Sequence, residues 1–148
     1  MRITERFSSE HDVFLSQLTV IEDLVRTDAD VSSIVAAIRT LAAPLLVHAE
    51  NEERALFPEL EPSMGGDGGL LAVLTEEHHT LHGQIDRLVA APPRSELELV
   101  LDAFLRVLRG HIDKEEGVLF PAAQQILDGE RLERLDREIR LIPSEVAR

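Results

Sequence analysis

Apolar residues return along this chain every three or four positions, the beat of a helix with one face turned inward, and strand-like alternation is nearly absent. Phe7, Phe14, Leu18, Ile21 and Val25 form the first stripe, on a helix predicted to start near Ser8 or Ser9 with Ser9 and Asp12 as a capping pair. A second helix is predicted from near Asp30, carrying Ile34, Ile38, Leu41, Leu45 and Leu56. The stretch "PSMGGDGG", Pro62 to Gly69, reads as the clearest loop. A third helix is expected from about Leu70 to Val89, with Leu71, Leu74, Leu81, Ile85 and Leu88 on its stripe, and "APPR" ends it. Ser95 with Glu98 reads as a capping box for a fourth helix striped by Leu97, Leu101, Phe104, Leu108 and Leu119. A short fifth helix, Glu130 to about Leu141, shows Leu132, Leu135 and Ile139 and is expected to pack on the core rather than bind a partner. Four long helices with short polar connections suit an all-α antiparallel four-helix bundle over about residues 8–128, followed by a short C-terminal helix over about 130–142. All of this fits a single domain, residues 1–148.

The halves repeat each other. His11 is followed by Phe14, Leu18 and Ile21; His78 is followed by Leu81, Ile85 and Leu88 at the same offsets. "HAENEERALFP" (His48 to Pro58) and "HIDKEEGVLFP" (His111 to Pro121) share His, Glu, Glu, Leu, Phe and Pro in register. Two such hairpins facing each other would form a pseudo-twofold bundle, with equivalent positions meeting at its centre.

Histidines and glutamates stand where the stripes call for leucine. The inward series of the second helix, 34, 38, 41, 45, 48, 52, ends on His48 and Glu52; that of the fourth, 101, 104, 108, 111, 115, ends on His111 and Glu115. The first helix contributes His11. The third contributes His78, with His82 one turn beyond it in a series that continues through 81 or 82. Burying such groups without compensation costs a few kcal/mol each, and far more for an isolated carboxylate. Five histidines and two glutamates could not satisfy one another and still exclude water, so a cation is the natural resolution. With no cysteine there is no soft ligand, and seven nitrogen and oxygen donors exceed one tetrahedral zinc. Two six-coordinate ions sharing carboxylates use them better: iron first, then manganese, then zinc.

Composition narrows the partners. A net charge of −13 argues against nucleic acid. There is no run of 18 apolar residues, so no membrane span is expected, and the missing export signal points to a cytoplasmic location. Tyr and Trp are absent, which excludes phenol or indole chemistry.

The order His11, His48-x-x-x-Glu52, His78-x-x-x-His82, His111-x-x-x-Glu115 resembles the hemerythrin and HHE cation-binding family over about residues 8 to 128. The resemblance implies an up-down-up-down bundle around two iron ions with an oxo or hydroxo bridge. His11, His48, His78, His82 and His111 would be terminal ligands, and Glu52 and a carboxylate of "HIDKEE" would bridge. Oxygen-carrying hemerythrins place an aspartate five residues after the last histidine, whereas here Glu116 stands at that position beside Glu115. A spacing of four leaves Glu115 about 40° from His111 and a spacing of five leaves Glu116 about 140° away, so Glu115 is favoured with Glu116 as the alternative.

Other residues carry plainer expectations. His79 falls off the stripe, and Glu53 and Glu116 read as surface carboxylates, one of which could orient a ligand imidazole. Leu56-Phe57 and Leu119-Phe120 should wall the centre, with Pro58 and Pro121 bending or ending their helices. Gly110 suggests close packing or a channel. The function these features imply is a di-iron protein, monomer or dimer, that binds or reacts with dioxygen, peroxide or nitric oxide. As an enzyme it would decompose peroxide or catalyse another oxidoreduction. The alternative is an iron-storage or metal-stabilised interaction module without catalysis.

Overall fold

The computed structural model describes residues 1–66 and 68–146. The long helices are α1 (Ile3–Arg26), α2 (Val31–Asn51), α4 (Leu70–Val89) and α5 (Arg94–Lys114); α3 (Phe57–Met64) prolongs α2, α6 (Phe120–Ile126) prolongs α5, and α7 (Gly129–Leu141) closes the chain. No strand occurs among the described residues. α1 packs on α2, α4 on α5, and α2 on α4 joins the two hairpins into a helical bundle.

Helix starts follow the stripes more closely than the expected caps. α1 begins before Ser8 because Ile3 and Phe7 are already fully buried, and the Arg2 N–H donates to Glu5 Oε2 at 2.7 Å. Ser9 caps nothing; its hydroxyl donates to the Glu5 carbonyl within the helix. Asp30 does cap α2, accepting from the Ser33 N–H at 2.9 Å. At α5 the extended Pro93 forms the N-cap without a side-chain bond, so Ser95 and Glu98 form no capping box. Arg94 instead bonds Glu98 (3.0 Å) and the Ala29 carbonyl (2.6 Å). The expected loop shortens, because Pro62 lies inside α3; Gly66 and Gly68, with φ of +127° and +75°, supply the left-handed backbone of what remains. Asp67 of that loop lies outside the described residues.

Both copies of the repeated motif contain the same local deformation. Between α2 and α3, and again between α5 and α6, the ladder widens to one π turn, Glu52–Leu56 and Glu115–Leu119. Phe57 donates its N–H to the Glu52 carbonyl, and Phe120 to that of Glu115, each five residues back. Proline explains the position: Pro58 and Pro121 have no N–H and their rings would strike the carbonyl four residues earlier, so the chain opens there instead of ending. A wider turn puts two consecutive residues inside, and Leu56 with Phe57, and Leu119 with Phe120, are all buried.

The interior is layered. One apolar cluster, including Leu18, Ile38, Leu81 and Phe104, fills one side of the bundle. A second, including Ile3, Leu60, Leu74 and Ala123, fills the other and takes in Leu132, Leu135 and Ile139 of α7, as core packing requires. Asp136, fully buried on α7, is held by Arg6 of α1 and by Arg140. By length and composition the continuous helix Val31–Met64 could cross a membrane. In this fold its Ile34, Ile38, Leu41 and Leu45 are buried in the first cluster.

Candidate metal centre

At the level of His11, His48, His78 and His111 the apolar stripes of all four long helices give way to polar side chains. These four imidazoles are each no more than 8 % exposed, and Glu52 and Glu115 are fully buried among them. Their ligand atoms form two groups, His11–His48–Glu52–Glu115 and Glu52–His78–His111–Glu115, each compact enough for one cation and both using the same two glutamates. Glu52 reaches both sides: Oε1 lies 3.2 Å from His48 Nε2 and Oε2 lies 3.1 Å from His78 Nε2. Glu115 Oε1 lies 3.3 Å from His11 Nε2 and 3.1 Å from His111 Nε2. Within each group the two Nε2 atoms are 3.1 Å apart.

The outer nitrogen of every imidazole meets a carboxylate from a neighbouring helix. His11 Nδ1 lies 2.6 Å from Glu116, His48 Nδ1 2.5 Å from Glu10, His78 Nδ1 2.9 Å from Glu53 and His111 Nδ1 3.2 Å from Glu77. A carboxylate is acceptor only, so each Nδ1 carries the hydrogen and Nε2 can present its lone pair to the centre. The pattern obeys the sequence repeat: Glu10 serves His48 as Glu77 serves His111, and Glu116 serves His11 as Glu53 serves His78. Glu53 and Glu116 therefore have more than a surface role. Glu10 and Glu77 escaped the sequence reading, although each immediately precedes a histidine at equivalent points of the repeat.

His82 is not brought to the centre. It lies exposed beside His79, both lining a surface hollow with Glu50 and Glu145. After the step of four from Leu74 to His78, a helix of 3.6 residues per turn needs a step of three, so Leu81 takes the inward position. His48 instead follows Leu45 by three, so the next step is four and lands on Glu52. Of the two candidates on the fourth helix, Glu115 faces inward and Glu116 the outer edge. Gly110 requires no close packing, since a Cβ there would meet nothing within 4 Å.

The electrostatics call for positive charge. Burial alone would push the His48 imidazole down; Glu52 and Glu10 outweigh it and raise His48 to about 10. Burial likewise opposes the charge on His78, which Glu52 and Glu53 raise to about 9. Glu52 is held well below the ordinary carboxylate range, its burial offset by His48 and His78. Even so, Glu52 Oε1 and both Glu115 oxygens are buried without a hydrogen bond; the ring nitrogens near them stand at bonding distance but off the bonding direction. Orphaned carboxylate oxygens beside converging imidazoles are the donor set a hard or borderline cation takes. The residues fit a metal site.

Phe7, Phe14 and Phe120 pack against the His11–His48 pair, and Phe57 stacks on His78 with ring centroids 5.9 Å apart. A cavity of about 10 Å³ adjoins the four imidazoles, walled by Leu45, Leu81, Leu108 and Ile112. It has room for about one water-sized molecule.

Comparison with curated proteins and with solved structures gives no significant match. The profile of the hemerythrin HHE cation binding domain matches residues 2–123 and so takes in all six converging side chains. This chain belongs to the hemerythrin HHE cation-binding family.

Proposed function

We propose that this protein holds two iron ions, one in each group, with Glu52 and Glu115 shared between them, and that a dioxygen, peroxide or nitric oxide molecule binds at the adjoining cavity. The observation that carries the reading is the pairing of two four-residue groups through two common carboxylates, three of whose four oxygens lack a hydrogen bond. One ion would leave the other half of the donors buried and uncompensated. Along with this goes the finer fold reading, that the four long helices alternate up and down.

The ions would supply redox and Lewis-acid chemistry. The chain supplies the rest. Nε2 lone pairs and carboxylate oxygens bind; Glu10, Glu53, Glu77 and Glu116 fix the rings by accepting from Nδ1; the phenyl rings and the two apolar clusters exclude water. The small cavity, with room for about one water-sized molecule, favours the smallest ligands over any organic substrate. Leu46, Ala49 and His78 line both this cavity and a surface hollow of about 530 Å³, which supports ligand entry between α2 and α4.

The test is metal analysis of the purified protein with optical spectra before and after azide, oxygen or peroxide. About two irons per chain and a ligand-dependent near-ultraviolet band are expected. Iron that is bound but spectroscopically inert to all three ligands would favour a storage or structural role, and a chain that takes up no metal would end both readings.

A further inference from the structure

The repeat makes the two half-sites equivalent in plan, and the structure makes them unequal in detail. In the His11–His48 half, the outer contacts are short, 2.6 Å to Glu116 and 2.5 Å to Glu10. In the His78–His111 half they lengthen to 2.9 Å and 3.2 Å. Two sequence differences account for this. Lys114 donates to Glu77 Oε2 at 2.6 Å and so shares the charge of the carboxylate whose Oε1 faces His111, while the matching position of the first repeat is the neutral Asn51. Arg6, one turn before Glu10, is hydrogen-bonded to Asp136 and acts on Glu10 only through space, without a bond to its carboxylate. Ser8 donates to Glu116 at 2.9 Å and holds it in place, whereas its counterpart Thr75 turns back to the Leu71 carbonyl.

We infer that the two cation positions differ in affinity, the His11–His48 position filling first and the His78–His111 position being the weaker, exchangeable one, with Lys114 as the positioning residue that sets the gap. The inference rests on the two-ion reading above. A carboxylate on Nδ1 pushes electron density toward Nε2 and orients the ring, and losing such a partner costs roughly 10–100-fold in metal affinity. Lys114 neutralises that partner for His111, and its own charge opposes a nearby cation. The surroundings agree: three phenyl rings close the first half against one, Phe57, in the second, and His78, the most exposed of the four imidazoles at 8 %, borders the surface hollow.

The experiment is anaerobic calorimetric titration of the chelator-stripped full chain with Fe²⁺. Wild type should take two ions in steps about tenfold or more apart. Lys114→Met, at a half-exposed position where folding is not at stake, should tighten the weaker step by about tenfold and leave the stronger unchanged. Glu10→Gln should weaken the stronger step by roughly 10–100-fold, and Glu77→Gln should change the weaker one by less, its charge being already spent on Lys114. His111→Ala should retain the stronger step. Two equal steps in wild type, no response to Lys114→Met, or loss of the stronger step in His111→Ala each overturns the inference while leaving two-ion binding intact. Uptake of fewer than two ions overturns both.

Discussion

Glu52 and His82 each stand four residues after a buried histidine, and only Glu52 reaches the centre. The difference is phase. A helix alternates steps of three and four to keep one face inward, and the residues before His48 and His78 leave that alternation at opposite points. The expected consequence is concrete: His82→Ala retains the metal content of wild type, and His78→Ala or Glu52→Gln loses at least half of it, measured by elemental analysis after purification in iron-supplemented medium. Equal loss in His82→Ala would mean that the helix rotates on loading. The same phase argument selects Glu115 over Glu116 and gives the latter its place at His11 Nδ1. Such outer partners were only half visible in the sequence, because each reaches a histidine on a different helix.

At the scale of elements, the two π turns are what the repeated Leu-Phe-Pro encodes. Proline forces the ladder open, the open turn directs both Leu and Phe inward, and these residues form the floor under the glutamates. Leu56→Ala and Leu119→Ala should therefore cost roughly 2–5 kcal/mol each in urea unfolding. Leu99→Ala, three-quarters exposed, should stay within about 0.5 kcal/mol. Costs near the control value for the two core leucines would contradict the wall assigned to them. α7 is fastened by a different device. Arg6→Met would leave the buried Asp136 with Arg140 alone, a cost toward the lower end of the roughly 3–5 kcal/mol for breaking a buried pair. Earlier hydrogen exchange in α7 than in α4 should accompany it; protection unchanged in α7 would show that its leucines suffice.

For the whole molecule, a polar layer between two apolar clusters ties stability to charge. In the chelated protein His48 and His78 lie above their ordinary value of 6.5, near 10 and 9. Their stabilisation is fully present below pH 6.5 and disappears as pH rises through 9 to 10. Glu52 lies below its ordinary value of 4.5, so its contribution is present above pH 4.5 and lost as pH falls through the lowered value. The chelated protein should melt highest between about pH 4.5 and 6.5 and lose stability steadily toward pH 10. Metal binds the neutral imidazoles, so the loaded protein should melt higher and lack the alkaline decline. Thermal scans from pH 4 to 10, with and without chelator, read both; a chelated protein indifferent to pH from 6.5 to 9.5 would remove the electrostatic account.

Much of this was legible along the chain because periodicity is a local property: helix count, α4's limits, the inward leucines, and the anomaly of His and Glu at leucine positions follow from spacing alone. Sequence also carried the pseudo-twofold repeat and, through it, the family. Tertiary structure decided what depends on groups brought together from different helices. Whether 81 or 82 continues a stripe, which carboxylate crosses to which Nδ1, and how Lys114 unbalances the two halves are set by the packing of one helix against the next. Short-range pattern fixes which face of a helix is buried; only the folded bundle fixes what that face meets.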